Sequence, residues 1–235
     1  MHIVRFKVEG VFNSFRIPFF RTYHKTFLAP PKTTVIGMIT NIMGKSENFF
    51  YNILNQNKIK VSVVIDSIKG KAKDLWTYKT FGNKNHGRSI IRRDRLFNAK
   101  YTIYFMTDDK ELSEEIYDSL LYPKSIPSLG LDDEIVKIYD VAYDLDFDEN
   151  STEIVNSVFM DRGYEYQAKV DDFSNMMEIP TANVVPLKYE IKENKSKRSE
   201  RTGTDLCKQI EFLNCYVEIK GVKSYICENN KLIFY

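Results

Sequence analysis

The sequence predicts an α+β protein, and three observations lead to this fold class. Several segments alternate apolar and polar side chains with period two, as half-buried strands do. Other segments repeat apolar residues at helical spacing. The chain has 235 residues, including 16 phenylalanines and 15 tyrosines, so it can bury a sizeable core. These patterns are typical of a folded domain and not of a disordered chain.

The first strand is predicted in HIVRFKVE (2–9), where apolar residues alternate with charged ones. A helix follows, because five apolar residues fall on one helical face: Val35, Met38, Ile39, Ile42 and Met43. Pro31 suits its first turn, and Gly44 supplies a left-handed stop. NFFYNILNQ (48–56) predicts a second, short helix, and KIKVSVVIDSI (58–68) predicts the second strand.

A hairpin is predicted next, from two strand-like runs on either side of GNKNHGR (82–88). AKYTIYFMT (99–107) predicts the third strand of the sheet. Asp108 followed by Glu111 resembles a capping box, which opens a helix that ends near Leu121. DEIVKIYDVAY (133–143) supplies the fourth strand.

Without the hairpin, the predicted order is strand, helix, strand, strand, helix, strand. This order indicates a ferredoxin-like (RRM-like) βαββαβ domain, an antiparallel sheet backed by two helices. We expect this domain to span 1–144, with the hairpin inserted as a basic thumb at about 75–97. A smaller, mostly β C-terminal lobe is expected at 145–235. Within it, the polar and charged segment at 192–204 is expected to be an exposed, mobile loop, although its basic residues could also lie on RNA.

Charge is distributed unevenly along the chain, although the net charge is only +2. Residues 1–106 contain 19 lysines and arginines against 5 acidic residues, whereas residues 107–150 contain 3 against 14. Such a chain can present a basic face to nucleic acid and an acidic face to a basic protein neighbour. The alternative is that folding interleaves the two segments into ordinary ion pairs.

Cations and aromatic rings alternate in GVFNSFRIPFFRTYHKTFLAPPKTT (10–34), between the first strand and the first helix. Single-stranded RNA recognition needs cations for phosphates and rings for unstacked bases. The helix entrance adds backbone N–H groups and hydroxyl donors. The candidate RNA-binding residues of this segment are Arg16, Arg21, Lys25, Lys32, Thr33 and Thr34. The alternative is that the rings are core and the cations are merely solvated.

The hairpin is the second candidate RNA-binding element. Asp94 is its only acid between Lys84 and Arg95, so the repulsion among its cations must be relieved by solvent or by a polyanion. The candidate RNA-binding residues here are Tyr78, Lys84, His86, Arg88, Arg92, Arg93 and Arg95. The alternative is a solvated edge ribbon, because lysine and arginine also protect exposed edges from aggregation.

Other functions find little support. The sequence has no metal-ligand spacing, P-loop or dinucleotide fingerprint, so no metal, cofactor or catalytic residue is assigned. Its three cysteines lack a C-x-x-C spacing and are expected to be buried free thiols. No long apolar run or signal-peptide core is present, so we expect a cytoplasmic protein with no membrane partner.

Three motifs resemble those of CRISPR-associated (Cas) family five, a ferredoxin-like group of repeat-associated RNA-binding (RAMP) proteins. They are G-x-F-x-x-F-R-x-P at 10–18, PPKTT-x-x-G-M at 30–38 and SLGLDDEI at 128–135. The resemblance covers about the first 140 residues. It implies a conserved helix-entry loop at Pro30 to Gly37 and an RNA-hooking thumb at about Leu75 to Phe97.

The resemblance implies a subunit of a type I interference complex (Cascade) in antiviral defence. Such a subunit grips the 5′ handle of the CRISPR guide RNA (crRNA) and caps that end of the complex, between the backbone and large subunits. Contact with target DNA near its flanking motif stays open. Some relatives cut precursor guide RNA without metal, using tyrosine, lysine and histidine to activate the 2′-hydroxyl and to stabilise the developing charge. Here the candidates for these roles are Lys84, His86 and Tyr78, or Tyr23 and His24. We expect a non-catalytic RNA clamp, with a metal-independent endoribonuclease as the alternative.

Overall fold

The computed structural model of the chain describes residues 1–18, 20, 23–80, 87–150, 154–157, 159–161, 165–168, 181–193, 199–212 and 217–235. These residues form a mixed α+β structure with three helices, as the sequence predicts in outline. The helices are α1 (Lys32–Ile42), α2 (Glu47–Asn55) and α3 (Lys110–Leu121). The first strands are β1 (His2–Asn13), β2 (Tyr23–His24), β3 (Lys60–Thr80), β4 (Gly87–Thr107) and β5 (Val136–Tyr143).

The later strands are short except for one pair. They are β6 (Phe147–Asn150), β7 (Ile154–Val155), β8 (Phe159–Asp161), β9 (Tyr166–Ala168), β10 (Thr181–Glu193), β11 (Ser199–Phe212), β12 (Val217–Ile219), β13 (Ser224–Cys227) and β14 (Asn230–Leu232). None of the helices in the described part of the chain is long and apolar enough to cross a membrane.

The largest sheet has the strand order β3-β4-β1-β5, and all of these neighbours are antiparallel. β2 pairs in parallel with β4 beyond the end of β1, with Tyr23 opposite Arg92. The alternation in β1 works as predicted: Val4, Phe6 and Val8 are buried in the main core. The same core contains the apolar faces of α1, α2 and α3.

The helix ends follow local chemistry. Gly44 has φ +64°, the left-handed conformation that ends α1 at little steric cost. At α3, the N-cap is Asp109 and not the predicted Asp108, because the Asp109 carboxylate accepts from the N–H of Leu112 at 3.1 Å. Asp109 is therefore the residue that satisfies a free N–H of the first turn.

The sequence predicts a hairpin inserted between two separate strands of the sheet. The structure differs from this prediction, because the hairpin continues the two sheet strands themselves. β3 and β4 are 21 residues each and stay paired from Lys60 opposite Met106 to Thr80 opposite Gly87. The register shift between Ile65 and Ser67 lets the strand bend without ending. The thumb is therefore the outer half of one continuous hairpin. Its tip, residues 81–86, lies outside the described residues.

The described residues after position 144 contain strands and no helix. The prediction of a loop at 192–204 is wrong for the described residues of this segment. They belong to β10 and β11, which pair with each other, with Lys192 opposite Glu200. A polar segment can pair in this way because the ladder joins backbone groups. β13 and β14 pack Tyr225 and Leu232 against the sheet, and Tyr235 exchanges backbone hydrogen bonds with Val61.

Candidate nucleic-acid interface

A cavity of about 860 Å³ lies where four parts of the chain meet. These parts are the segment around β2, the first turn of α1, the loop at 130–131 and the inner part of the thumb. β10 closes one side through Pro186 and Tyr189. The polar and aromatic residues that line this cavity include Arg16, His24, Lys25, Thr33, Thr34, Trp76, Arg93 and Asp94.

Two exposed cationic side chains line the cavity. Arg16 and Lys25 are both exposed, and each is oriented by Phe20. The Arg16 guanidinium donates to the Phe20 carbonyl at 3.3 Å, and the Lys25 ammonium lies 5.2 Å from the Phe20 ring centroid. Neither side chain has a carboxylate partner among the described residues. Both charges are therefore available to an anion.

His24 lies deeper in the same cavity. Burial, with Arg16 and Arg93 as cationic neighbours, lowers the pKa of its imidazole below the usual value. At neutral pH the ring is therefore mostly uncharged. A neutral imidazole can both donate and accept a hydrogen bond.

Arg93 is buried and held inside the thumb. Its Nη2 donates to Asp74 Oδ2 at 2.5 Å, and its guanidinium carbon lies 4.7 Å from the Trp76 ring centroid. This pairing lowers the pKa of Asp74. The Nε–H of Arg93 is buried without a partner among the described residues, while the charge of Arg93 is largely compensated by Asp74.

Arg92 differs because it is exposed and stacks on Tyr23, with 4.7 Å from guanidinium carbon to ring centroid. The Tyr23 hydroxyl donates to Asp94, and this bond raises the pKa of Tyr23. The stack therefore fixes Arg92 at the base of the thumb while its charged edge stays in solvent.

Arg95 is tied to a buried carboxylate. Its Nη2 lies 3.3 Å from Glu134 Oε1, and Glu134 also accepts from the N–H and the hydroxyl of Ser14, both at 2.7 Å. Gly130 makes room for this contact: it has φ +119°, and an added Cβ would lie 2.0 Å from Glu134 Oε2. The SLGLDDEI motif therefore joins the loop after β1 to the thumb.

The first turn of α1 differs from the prediction, because Lys32 is buried and not exposed. Lys32 is only 3% exposed, its ammonium donates to Asn57 Oδ1 at 2.6 Å, and its backbone N–H donates to the Tyr235 hydroxyl at 2.9 Å. Burial, and then Lys60 and Lys188, lower the pKa of Lys32 to about 8. Thr33 and Thr34, and not Lys32, face the cavity.

A family model for CRISPR-associated protein (Cas_Cas5) matches residues 3–201. The chain belongs to this family. One similar solved structure is a chain of a CRISPR RNA-guided surveillance complex, at 15% identity and TM-score 0.52, covering 92% of this chain and 91% of that one. Another is a CRISPR protein from Archaeoglobus fulgidus, at 11% identity and TM-score 0.55, covering 99% and 98%. These two likenesses concern the fold. No curated protein gives a significant match.

For this Cas_Cas5 family member, the structure brings together only part of the predicted set. Five of the predicted residues line the cavity: Arg16, Lys25, Thr33, Thr34 and Arg93. Arg92 adjoins it through Tyr23 and Asp94. Tyr78 and Arg88 are exposed farther along the thumb. Lys32 and Arg95 are bound to internal partners, Asn57 and Glu134. Arg21, Lys84 and His86 lie outside the described residues.

Sequence reasoning omitted two cavity residues from the RNA-binding set, His24 and Trp76. The parallel pairing of β2 with β4 places His24 opposite Arg93, and the hairpin register places Trp76 opposite Ile91. Neither pairing has a local sequence signal. The alternation of rings and cations around His24 was the only available indication.

The charge segregation seen along the chain is partly cancelled in space. Asp140 pairs with Arg5 and Lys7 at 2.8 Å each, and the pKa of Asp140 falls to about 2. Lys45 pairs with Glu115 at 2.6 Å. The basic and acidic segments therefore interleave at several points, while Arg16, Lys25 and Arg92 have no carboxylate partner among the described residues.

Proposed function

We propose that this chain is a non-catalytic RNA-binding subunit of a type I CRISPR interference complex (Cascade) in antiviral defence. It grips the 5′ handle of the guide RNA and caps that end of the complex, next to the backbone and large subunits. Membership of the Cas_Cas5 family supports a CRISPR role. The likeness to a chain of an RNA-guided surveillance complex supports a place in such an assembly.

The proposal depends mainly on one observation: exposed cations and exposed aromatic rings lie together at the cavity and on the adjoining thumb. Arg16 and Lys25 hold phosphates, because neither charge is paired with a carboxylate in the part of the chain that the structure describes. Trp76, which is 46% exposed, and Tyr78 offer ring faces on which unstacked bases pack. The hydroxyls of Thr33 and Thr34 can hydrogen-bond to phosphate or to the 2′-hydroxyl, which marks RNA.

The remaining parts of the assignment concern architecture. We assign residues 1–144 to a ferredoxin-like domain, and the order β3-β4-β1-β5 supports this because it is the order expected of a βαββαβ sheet. The strands after 144 make the C-terminal lobe. Arg88 and Arg92 are exposed on the face of the thumb opposite Trp76, and we assign them to the backbone of RNA that wraps the ribbon. Contact with target DNA near its flanking motif is compatible with this position.

Binding of a labelled repeat-derived RNA to the full chain tests the proposal. We expect tighter binding to the 5′ handle sequence than to a shuffled RNA of the same length and composition. We also expect the observed association constant to fall steeply with salt, because phosphate contacts release counterions. Equal affinity for DNA and RNA of the same sequence would contradict a contact between the threonine hydroxyls and the 2′-hydroxyl.

A second candidate function is metal-independent cleavage of precursor guide RNA, and one observation favours it. His24 is mostly uncharged at neutral pH and lies in the cavity with Lys25 and Arg16. A neutral imidazole can take the proton of a 2′-hydroxyl, and the cations can stabilise the developing phosphate charge. Incubation with repeat RNA in chelator separates the two functions. A single cut that is lost with a 2′-deoxy residue, and with His24→Ala, would establish the enzyme.

A further inference from the structure

A second cleft, of about 460 Å³, lies on the sheet, and it shares no lining residue with the RNA cavity. All four strands of the order β3-β4-β1-β5 contribute to it. Its floor is formed by small and apolar residues, namely Gly10, Ala99 and Val136. Asn98, with φ +46°, kinks β4 beside this floor. The cleft thus forms where the long hairpin departs from the sheet.

The mouth of this cleft exposes branched aliphatic side chains. Val11 is 60% exposed and Ile135 is 57% exposed. Both side chains line the cleft. Contiguous exposed apolar groups rimmed by polar ones mark interaction sites on soluble proteins.

The rim of the cleft is basic. Lys69, Lys100 and Lys137 line it together with a single carboxylate, that of Glu9. Glu9 is shared, at 2.9 Å from the Lys100 ammonium and 3.8 Å from that of Lys137. One carboxylate cannot neutralise three ammonium groups, so the rim keeps a positive surplus. An occupant must therefore combine an apolar body with negative charge.

We propose that this cleft docks an acidic segment of a neighbouring protein subunit. The segment inserts an apolar side chain between Val11 and Ile135, and its carboxylates pair with Lys69 and Lys137. A protein suits the cleft better than RNA does. The mouth formed by Val11 and Ile135 is aliphatic and offers no ring on which a base can stack. The cleft is a pocket for an anchoring side chain with a charged rim, the usual anatomy of a protein contact.

The test uses the full chain, co-expressed with the other subunits of its complex, with the photo-crosslinker p-benzoylphenylalanine at position 135. We expect an ultraviolet-induced adduct with a protein subunit, unchanged in size by ribonuclease, whose crosslinked peptide is rich in Asp and Glu. An adduct that shrinks with ribonuclease, or no adduct in an assembled complex, would overturn the docking proposal. It rests on the proposed place in a complex, so failure of the wild-type chain to co-purify with the other subunits would overturn both.

A charge-reversal variant gives an independent measure. Lys69→Glu with Lys137→Glu should lower the adduct yield about tenfold or more, because like charges then meet across the rim. The matched control is Lys58→Glu with Lys220→Glu, an equal charge change at exposed positions away from the cleft. The isolated cleft variant should keep the wild-type affinity for guide RNA. Equal adduct yields for both double variants would contradict the proposed pairing.

Discussion

Arg93 and Asp74 form an ion pair across the thumb, with 2.5 Å between Nη2 and Oδ2. The guanidinium of Arg93 also faces Trp76, so a cation that the sequence assigns to phosphate is held by its own hairpin. The next residue, Arg92, is exposed and free of carboxylates among the described residues. The basic residues of this chain thus divide into those that hold the thumb together and those available to a ligand.

This division predicts different effects for two adjacent arginines. Arg93→Ala should lower the free energy of unfolding by about 1–3 kcal/mol, because Asp74 loses its partner in a partly buried site. Arg92→Ala should leave stability within about 0.5 kcal/mol of wild type and weaken RNA binding instead. Urea unfolding and RNA titration of both variants measure this. Equal loss of stability in the two variants would contradict the division.

The cavity cations should govern the salt dependence of RNA binding. Replacing Arg16 and Lys25 with alanine should flatten the slope of log K against log salt concentration by about 0.7 for each lost phosphate contact on a single strand. The control is Lys58→Ala with Lys124→Ala, which removes two equally exposed charges elsewhere. The slope of the control should equal that of wild type. If both double variants flattened the slope equally, the overall positive charge of the protein would explain RNA binding, and a specific role of the cavity would be contradicted.

Gly130 should be far less replaceable than Gly70. Gly130→Ala places a Cβ 2.0 Å from Glu134 Oε2 and 2.6 Å from the Ser14 carbonyl, at φ +119°. We expect a loss of about 2 kcal/mol or more, measured by urea unfolding. Gly70→Ala meets nothing within 4 Å in a strand, so it should be neutral or stabilising by up to about 1 kcal/mol. Similar urea midpoints for the two variants would argue against the Glu134 contact.

Lys32 should make stability depend on alkaline pH. Its pKa is about 8 in the folded protein, below the ordinary value, so the unfolded chain binds more protons between these two values. Unfolding free energy must therefore rise with pH from about 8 to about 10.5. The Lys32→Met variant lacks this titration. The unfolding free energy of the variant, relative to that of the wild type, should therefore fall by about 3 kcal/mol across this pH range. A difference that does not change with pH would contradict the burial of a charged Lys32.

The sequence predicted well what depends on neighbouring residues. The α1 stripe, its stop at Gly44 and the alternation in β1 are local patterns, and each produced the predicted element. The length of the hairpin was missed, because a strand that bends at a bulge has the same local pattern as two separate strands.

The candidate site was harder to predict because its electrostatics depend on residues far apart in sequence. Lys32 is buried by contacts that include Tyr235, 203 positions away. Arg95 meets Glu134, and Arg5 meets Asp140, only after the sheet is assembled. Counting charges along the chain indicated a basic region, but it could not show which cations would keep their charge free.

The last prediction separates the two faces of the thumb. The hairpin register places Trp76 opposite Ile91 and Leu75 opposite Arg92, so Trp76 and Leu75 point to opposite faces. Trp76 lines the cavity, whereas Leu75 is 70% exposed. Trp76→Ala should weaken RNA binding by about 1–3 kcal/mol through lost base stacking. Leu75→Ala should change it by less than about 0.5 kcal/mol, since an aliphatic side chain offers no ring face. RNA titrations at one fixed salt concentration measure both, and a larger effect of Leu75→Ala would place the stacked bases on the other face of the thumb.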